Sequence, residues 1–276
     1  MRLHRTPSST EFPLLDSEDL RAALLLEDLF VKDKVQLVMT DLDRAIVGGA
    51  CPTFGDLELP VDPELRADSF CERRELGILN LGGAGAVKVG GDTFPLDSRE
   101  CLYAGRGSGK IVFTSDVPTN PAAFYLVSYP AHAAHPTVKA TLADANRVPL
   151  GSKQEANERV IYQYIHEGGI RSCQLVMGFT ELAVGSVWNT MPCHTHERRT
   201  EIYCYFDVPD DHAVLHLAGE PQQTRSLWVH NRQIALSPSW SIHSGVGTAN
   251  YRFVWAMGGE NQRFDDMDKV AITDLR

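Results

Sequence analysis

The sequence predicts an all-β protein: two successive β-barrels or sandwiches, preceded by one short helix. Three observations predict it. Short β-branched runs recur along most of the 276 residues, separated by Gly, Pro or Asp turns. No strand–helix–strand alternation occurs, which leaves out a parallel-sheet fold. A faint internal echo heads a strand-like run in each half, Cys71-Glu72-Arg73-Arg74-Glu75 against His196-Glu197-Arg198-Arg199-Thr200-Glu201. It suggests a duplication in which only the second copy keeps histidines.

Residues 1–30 read as an N-terminal arm and helix. Pro7 and Pro13 keep the first 15 residues irregular. Asp16 or Ser17 then caps a helix opening Glu18-Asp19-Leu20-Arg21, with acids at its positive end, and the Leu/Ala-rich body extends to near Leu29. Residues 31–135 form the expected first domain. Strands are predicted at 35–40 and 44–49, followed by a Pro- and Asp-rich loop at 51–68. Two more span 75–89, hinged at Gly82 to Gly85, with a hairpin turn at 90–92. Those glycines are no dinucleotide loop, because no helix follows them. Further strands are expected at 110–114 and 123–129.

Residues 136–158 lose apolar periodicity and read as a linker, with 141–146 as a helical turn. Residues 159–258 form the expected second domain, with strands at 160–165, 173–182, 201–207, 213–217, 225–230, 233–236 and 251–257. Residues 259–276 read as a C-terminal arm. The acidic cluster Asp265, Asp266, Asp268 lacks the spacing of a calcium loop and is expected as a solvated face.

Composition narrows the function. The net charge of −10 disfavours a nucleic-acid partner and makes any anionic ligand depend on a local cation. No apolar run approaches the roughly 20 residues of a membrane span. The first residues lack the apolar core of a secretory signal, so a cytoplasmic protein is the expectation. Six cysteines, none in a C-x-x-C pair, fit reduced and mostly buried thiols.

Chemistry concentrates at 189–201, Asn-Thr-Met-Pro-Cys-His-Thr-His-Glu-Arg-Arg-Thr-Glu. His194 and His196, two apart, face the same side of an extended backbone. Glu201 has the wrong parity for a straight strand, so a bulge or turn through 197–200 must re-aim it. In Leu-Ser-Pro-Ser-Trp-Ser-Ile-His-Ser-Gly-Val-Gly, residues 236–247, His243 is the natural fourth ligand. Imidazoles with one carboxylate suit zinc, iron, manganese or nickel. A single histidine would read as a core or surface residue; this combination favours a metal. Cys193 adjoins His194, but alternation turns it away and packing is expected.

The pattern His194-x-His196-x4-Glu201, then Pro238-x4-His243, resembles the metal motifs of the cupin superfamily, jelly-roll barrels around one metal. Longer runs resemble the 4-deoxy-L-threo-5-hexosulose-uronate ketol-isomerase family. They are 189–199, 237–247 and Gly259-Glu-Asn-Gln-x-Phe-Asp-Asp-Met-Asp, with Glu72-Arg-Arg-Glu-Leu-Gly and Leu81-Gly-Gly-Ala-Gly in the first half. The arm and the stretch 140–158 match poorly. The resemblance implies two tandem cupin domains and one zinc per subunit, on His194, His196, Glu201 and His243. It also implies a homo-oligomer, a hexamer, that acts on a small anionic uronate. The implied reaction takes 5-dehydro-4-deoxy-D-glucuronate to 3-deoxy-D-glycero-2,5-hexodiulosonate in pectin and uronate breakdown.

A ketol isomerisation must stabilise enediol-like charge, which a Lewis-acid metal can do, and needs a base to shuttle the carbon-bound proton. A metal-bound water, Glu197 and Tyr203 stay open for the base. Alternation from the histidines places Arg198 on their face, where it can hold the substrate carboxylate bidentately or else pair at a surface. Trp188 and Trp240 are expected as barrel packing. Three other readings compete: a 5-deoxyglucuronate isomerase of inositol breakdown, an iron cupin dioxygenase, and a non-enzymatic sugar-binding bicupin.

Overall fold

The computed structural model describes residues 1–276. It is all-β, with 24 strands (β1–β24) and one eight-residue α-helix, α1 (Ser17–Leu24). The chain forms two compact units, each a cupin-like pairing of a seven-stranded and a four-stranded sheet. Unit 1 takes Met1–His4, Asp28–Ala145 and Tyr164–Val176; unit 2 takes Arg5–Glu27, Asn146–Gln163 and Met177–Arg276.

In unit 1 the larger sheet runs β1 (Arg2–His4), β3 (Val35–Thr40), β4 (Ile46–Ala50), β11 (Phe124–Pro130), β6 (Arg74–Asn80), β9 (Cys101–Ala104), β12 (Val138–Ala140). The smaller runs β5 (Leu57–Glu58), β10 (Ile111–Ser115), β7 (Gly85–Val89), β8 (Asp92–Leu96). Alternation supplies the core. Val87 and Val89 of β7 and Ile111 and Phe113 of β10 turn inward, onto Ile78, Leu102, Phe124 and Leu126. Each such side chain contributes about 1.5–3 kcal/mol on burial. Gly90, at φ +60°, opens the two-residue turn between β7 and β8, as the hairpin expectation requires.

Unit 1 also buries a carboxylate. Glu75 accepts from Tyr103 Oη at 2.8 Å and from the backbone N–H groups of Cys173, Gln174 and Leu175 at 2.6, 2.8 and 2.8 Å. These bonds tie the returning segment Tyr164–Val176 to β6.

The larger sheet of unit 2 runs β13 (Asn146–Leu150), β14 (Arg159–Ile165), β15 (Val176–Leu182), β23 (Arg252–Gly259), β18 (Arg199–Phe206), β21 (Ile234–Ser237), β2 (Leu25–Leu26). The smaller runs β16 (Trp188–Asn189), β22 (Ser244–Gly247), β19 (Val214–Ala218), β20 (Arg225–Val229). A separate pair joins β17 (His194–Thr195) to β24 (Asp268–Lys269). The order β4-β11-β6-β9 of unit 1 matches β15-β23-β18-β21 of unit 2, and β5-β10-β7-β8 matches β16-β22-β19-β20. The echoed motifs head the equivalent strands β6 and β18, with a buried arginine, Arg74 or Arg199, at the first position of each.

Three local expectations change. Asp16 Oδ1 caps α1 by accepting from Glu18 N and Asp19 N at 2.9 and 2.8 Å. The helix nevertheless stops at Leu24, because Leu25 and Leu26 are buried as β2 against Ala235 and Ile234 of β21. Pairing with a sheet edge outweighs the helix propensity of leucine. The stretch read as a linker carries β12 and β13. Its segment 141–146 is a turn closed by Asp144, which accepts from Thr141 N at 2.8 Å, and not a helical one. All six cysteines are unpaired, and five of them are buried. No helix is long and apolar enough to cross a membrane.

Candidate metal centre

His194 lies on β17, His196 just beyond it, Glu201 on β18 and His243 immediately before β22, all within unit 2. Backbone folding explains the convergence. The chain turns at Glu197 and Arg198, with Arg199 N donating to the His196 carbonyl at 3.1 Å, and re-enters a sheet at Arg199. This turn resets the parity and brings Glu201 to the histidines.

One potential ligand atom from each of the four side chains lies within 4.8 Å of all the others. His243 Nε2 stands 2.8 Å from Glu201 Oε2 and 3.0 Å from His194 Nε2, and His196 Nε2 is 3.1 Å from Glu201 Oε2. Metal bonds of about 2.0–2.2 Å put neighbouring ligand atoms about 3–4.4 Å apart, so the spacing fits one first-row cation. Tautomers fit as well. His196 Nδ1 donates to the Arg199 carbonyl at 2.9 Å, and His243 Nδ1 to the Ser241 carbonyl at 3.3 Å. A carbonyl only accepts, so these bonds place each proton on Nδ1 and leave Nε2 a bare lone pair. The donor set can hold a metal ion.

The electrostatics favour the ligating forms. Burial opposes the Glu201 charge, but His243 and then His196 outweigh it and hold the carboxyl well below its usual range. Burial, then His243, pulls His194 down to about 3, so it is neutral near pH 7. His196 goes the other way: burial lowers it, but the hydrogen bond and charge of Glu201 raise it further.

The centre opens on a cavity of about 450 Å³, a volume within the range of small-molecule sites. Its wall follows strand parity. Arg199, Glu201 and Tyr203 come from β18, Phe253, Trp255 and Met257 from the adjacent β23, and Arg159 and Ile161 from β14. Gly178 of β15 permits this wall, since a Cβ there would meet the Tyr162 carbonyl at 2.1 Å and the Trp255 ring at 2.4 Å. Burial, then the Glu201 charge, pushes the Tyr203 hydroxyl well above its ordinary range.

Arg198 requires correction. It lies outside the cavity, with Nε donating to Asp266 at 2.7 Å and Nη2 to Asp268 at 2.8 Å. The turn that re-aims Glu201 also breaks the alternation that had placed Arg198 with the histidines. Parity counted back from Glu201 selects Arg199 instead. Its side chain is sealed from solvent, with Nη2 donating to the Asp266 carbonyl at 2.8 Å. Asp266 and Asp268 are accordingly ion-pair partners and not a freely solvated acidic face. Glu197 is exposed, accepts from Ser239 Oγ at 3.3 Å and does not line the cavity. Cys193 is buried and outside the ligand group, as expected from packing.

The KduI/IolB family model matches residues 25–272. A protein of Opitutus terrae named 4-deoxy-L-threo-5-hexosulose-uronate ketol-isomerase is 53% identical over 277 residues, covering 100% of both chains. Proteins of the same name are 51% identical in Caldicellulosiruptor bescii, over 97% of both chains, and 47% identical in Escherichia coli O127:H6, over 100% of both. Among solved structures, an IolB-like protein of Salmonella typhimurium LT2 superposes with a TM-score of 0.72 at 13% identity, covering 90% of this chain and 96% of the other. The oxalate decarboxylase of Lactobacillus farciminis gives 0.60 at 10% identity, covering 90% and 88%. At such identities these two show the fold alone. The family match and the full-length ketol-isomerase relatives together establish that the chain is an isomerase and belongs to the KduI/IolB family.

Proposed function

We propose that this chain is a zinc-dependent ketol-isomerase that converts 5-dehydro-4-deoxy-D-glucuronate to 3-deoxy-D-glycero-2,5-hexodiulosonate in pectin and uronate breakdown. One observation carries the reading: the His194, His196, Glu201, His243 group is complete in a chain that aligns end to end with ketol-isomerases at about half identity.

His194, His196, Glu201 and His243 would hold the cation, and three imidazoles with one carboxylate suit zinc. When bound, it supplies Lewis acidity to the adjacent carbonyl and hydroxyl oxygens of the substrate. Tyr203, kept protonated by burial, offers an O–H donor on the cavity wall to an oxygen that gains charge as the C2 proton leaves. Phe253, Trp255, Met257 and Phe264 exclude water from the reacting carbons. The reading carries with it a cytoplasmic setting, and a hexamer that is drawn from the family resemblance. Sedimentation at six times the 30.5 kDa chain mass tests the hexamer.

The substrate is tested by NMR on freshly prepared 5-dehydro-4-deoxy-D-glucuronate, with 5-deoxyglucuronate as the parallel substrate. Formation of the 2,5-diketo acid from the first alone supports the reading. Turnover of 5-deoxyglucuronate alone replaces it with the inositol-breakdown reaction.

A further inference from the structure

The cavity wall beyond the metal centre has an uneven polar inventory. Four buried atoms of lining residues lack a hydrogen-bond partner: Asn189 Nδ2, Arg199 Nε, Arg199 Nη1 and Trp255 Nε1. All four are N–H donors. Unmet donors are costly in a buried setting, so the wall favours a ligand rich in acceptors. Charge points the same way. Arg159, at the start of β14, lines the cavity and is half-buried; Nη1 donates to the Asn157 carbonyl at 2.8 Å, and no carboxylate pairs with it. Burial is the largest influence on it, and Tyr203, Tyr251 and Glu155 offset that only in part. Burial lowers its pKa, the mark of an incompletely compensated cation. The one carboxylate on the wall, Glu201, is committed to the three histidines.

We infer that Arg159, backed by the unmatched donors of Asn189, Arg199 and Trp255, forms the subsite that takes the carboxylate of the substrate. The inference rests on the isomerase reading for the identity of that substrate. It supplies a half-buried local cation, where the exposed Lys269 is the other unpaired one on the wall, of the kind that a protein of net charge −10 needs to hold an anion. A guanidinium is also the group best matched to a carboxylate, through two parallel N–H···O bonds. The metal-binding residues remain free for the other end of the molecule, where carbonyl and hydroxyl react.

Metal-loaded protein is titrated calorimetrically with D-glucuronate and with D-glucuronamide, its neutral isostere. The wild type is expected to bind the acid at least about tenfold more tightly, equivalent to about 1.4 kcal/mol. Arg159→Gln should bring the two affinities together at unchanged metal content, and Arg159→Lys, which keeps the charge and the fold, should retain part of the preference. With the ketouronate, Arg159→Gln should raise KM more than it lowers kcat. An acid preference that survives Arg159→Gln, or that is absent from the wild type, overturns the subsite. So does one abolished by chelation alone while Arg159→Gln leaves it intact, since the cation would then be the anion receptor. A wild type that prefers the acid through Arg159 yet does not isomerise the ketouronate sinks the proposed substrate and leaves the subsite standing.

Discussion

At the scale of single residues, the four candidate ligands form one group, in which backbone carbonyls orient His196 and His243. The Arg199 carbonyl fixes the His196 tautomer, and two histidines keep Glu201 ionised. His196→Ala is therefore expected to reduce metal retention by more than the roughly 10–100-fold that loss of an outer partner costs. Metal analysis after gel filtration checks this; full retention would remove His196 from the site. His216 gives a pH prediction. It is fully buried on β19, and burial pulls it down to about 3, against about 6.5 in an unfolded chain. The folded state thus binds fewer protons than the unfolded state between those values. Its contribution to stability is intact above about pH 6.5 and drains as pH falls towards about 3. In metal-free protein, His216→Gln should flatten the fall of Tm across that window, and an unchanged slope would contradict the assignment.

At the scale of elements, parity explains both the success and the failure of the sequence reading. The histidine pair, the re-aimed glutamate and His243 were legible because residue type and spacing carry them. Straight alternation misplaces Arg198, because it sits in the turn at 197–198 that re-aims Glu201, beyond the histidines. Counting by twos in both directions from Glu201, and along β23 and β14, finds Arg199, Tyr203, Phe253, Trp255, Met257 and Arg159, all on the cavity wall. The short strands β2, β12 and β13 were not legible, since sheet-edge pairing depends on a distant partner and not on local pattern. Gly178 tests the wall itself. Gly178→Ala should cost about 1–3 kcal/mol by overpacking against Trp255, read by chemical denaturation. A neutral result would mean that β15 shifts freely.

At the scale of the whole molecule, two copies of one topology have diverged in what their interiors hold. On β18 the third residue, Glu201, faces the histidines of the candidate metal centre; the third residue of the equivalent β6, Leu76, packs in the apolar core, while Glu75 on the opposite face is consumed by Tyr103 and three backbone N–H groups. Glu75→Leu should strand those donors and cost unit 1 about 3–5 kcal/mol. Denaturation followed in the metal-loaded protein reads that loss; an unchanged midpoint would contradict the structural role given to Glu75. The duplication itself was legible only as a five-residue echo, because core packing preserves strand order while allowing nearly every side chain to change. The most direct test of the central claim is turnover of the ketouronate before chelation, after chelation and after zinc add-back, in wild type and in His243→Ala. The account predicts activity that chelation abolishes and zinc restores in the wild type but not in the variant. Undiminished turnover by metal-free protein, or by His243→Ala, would contradict it.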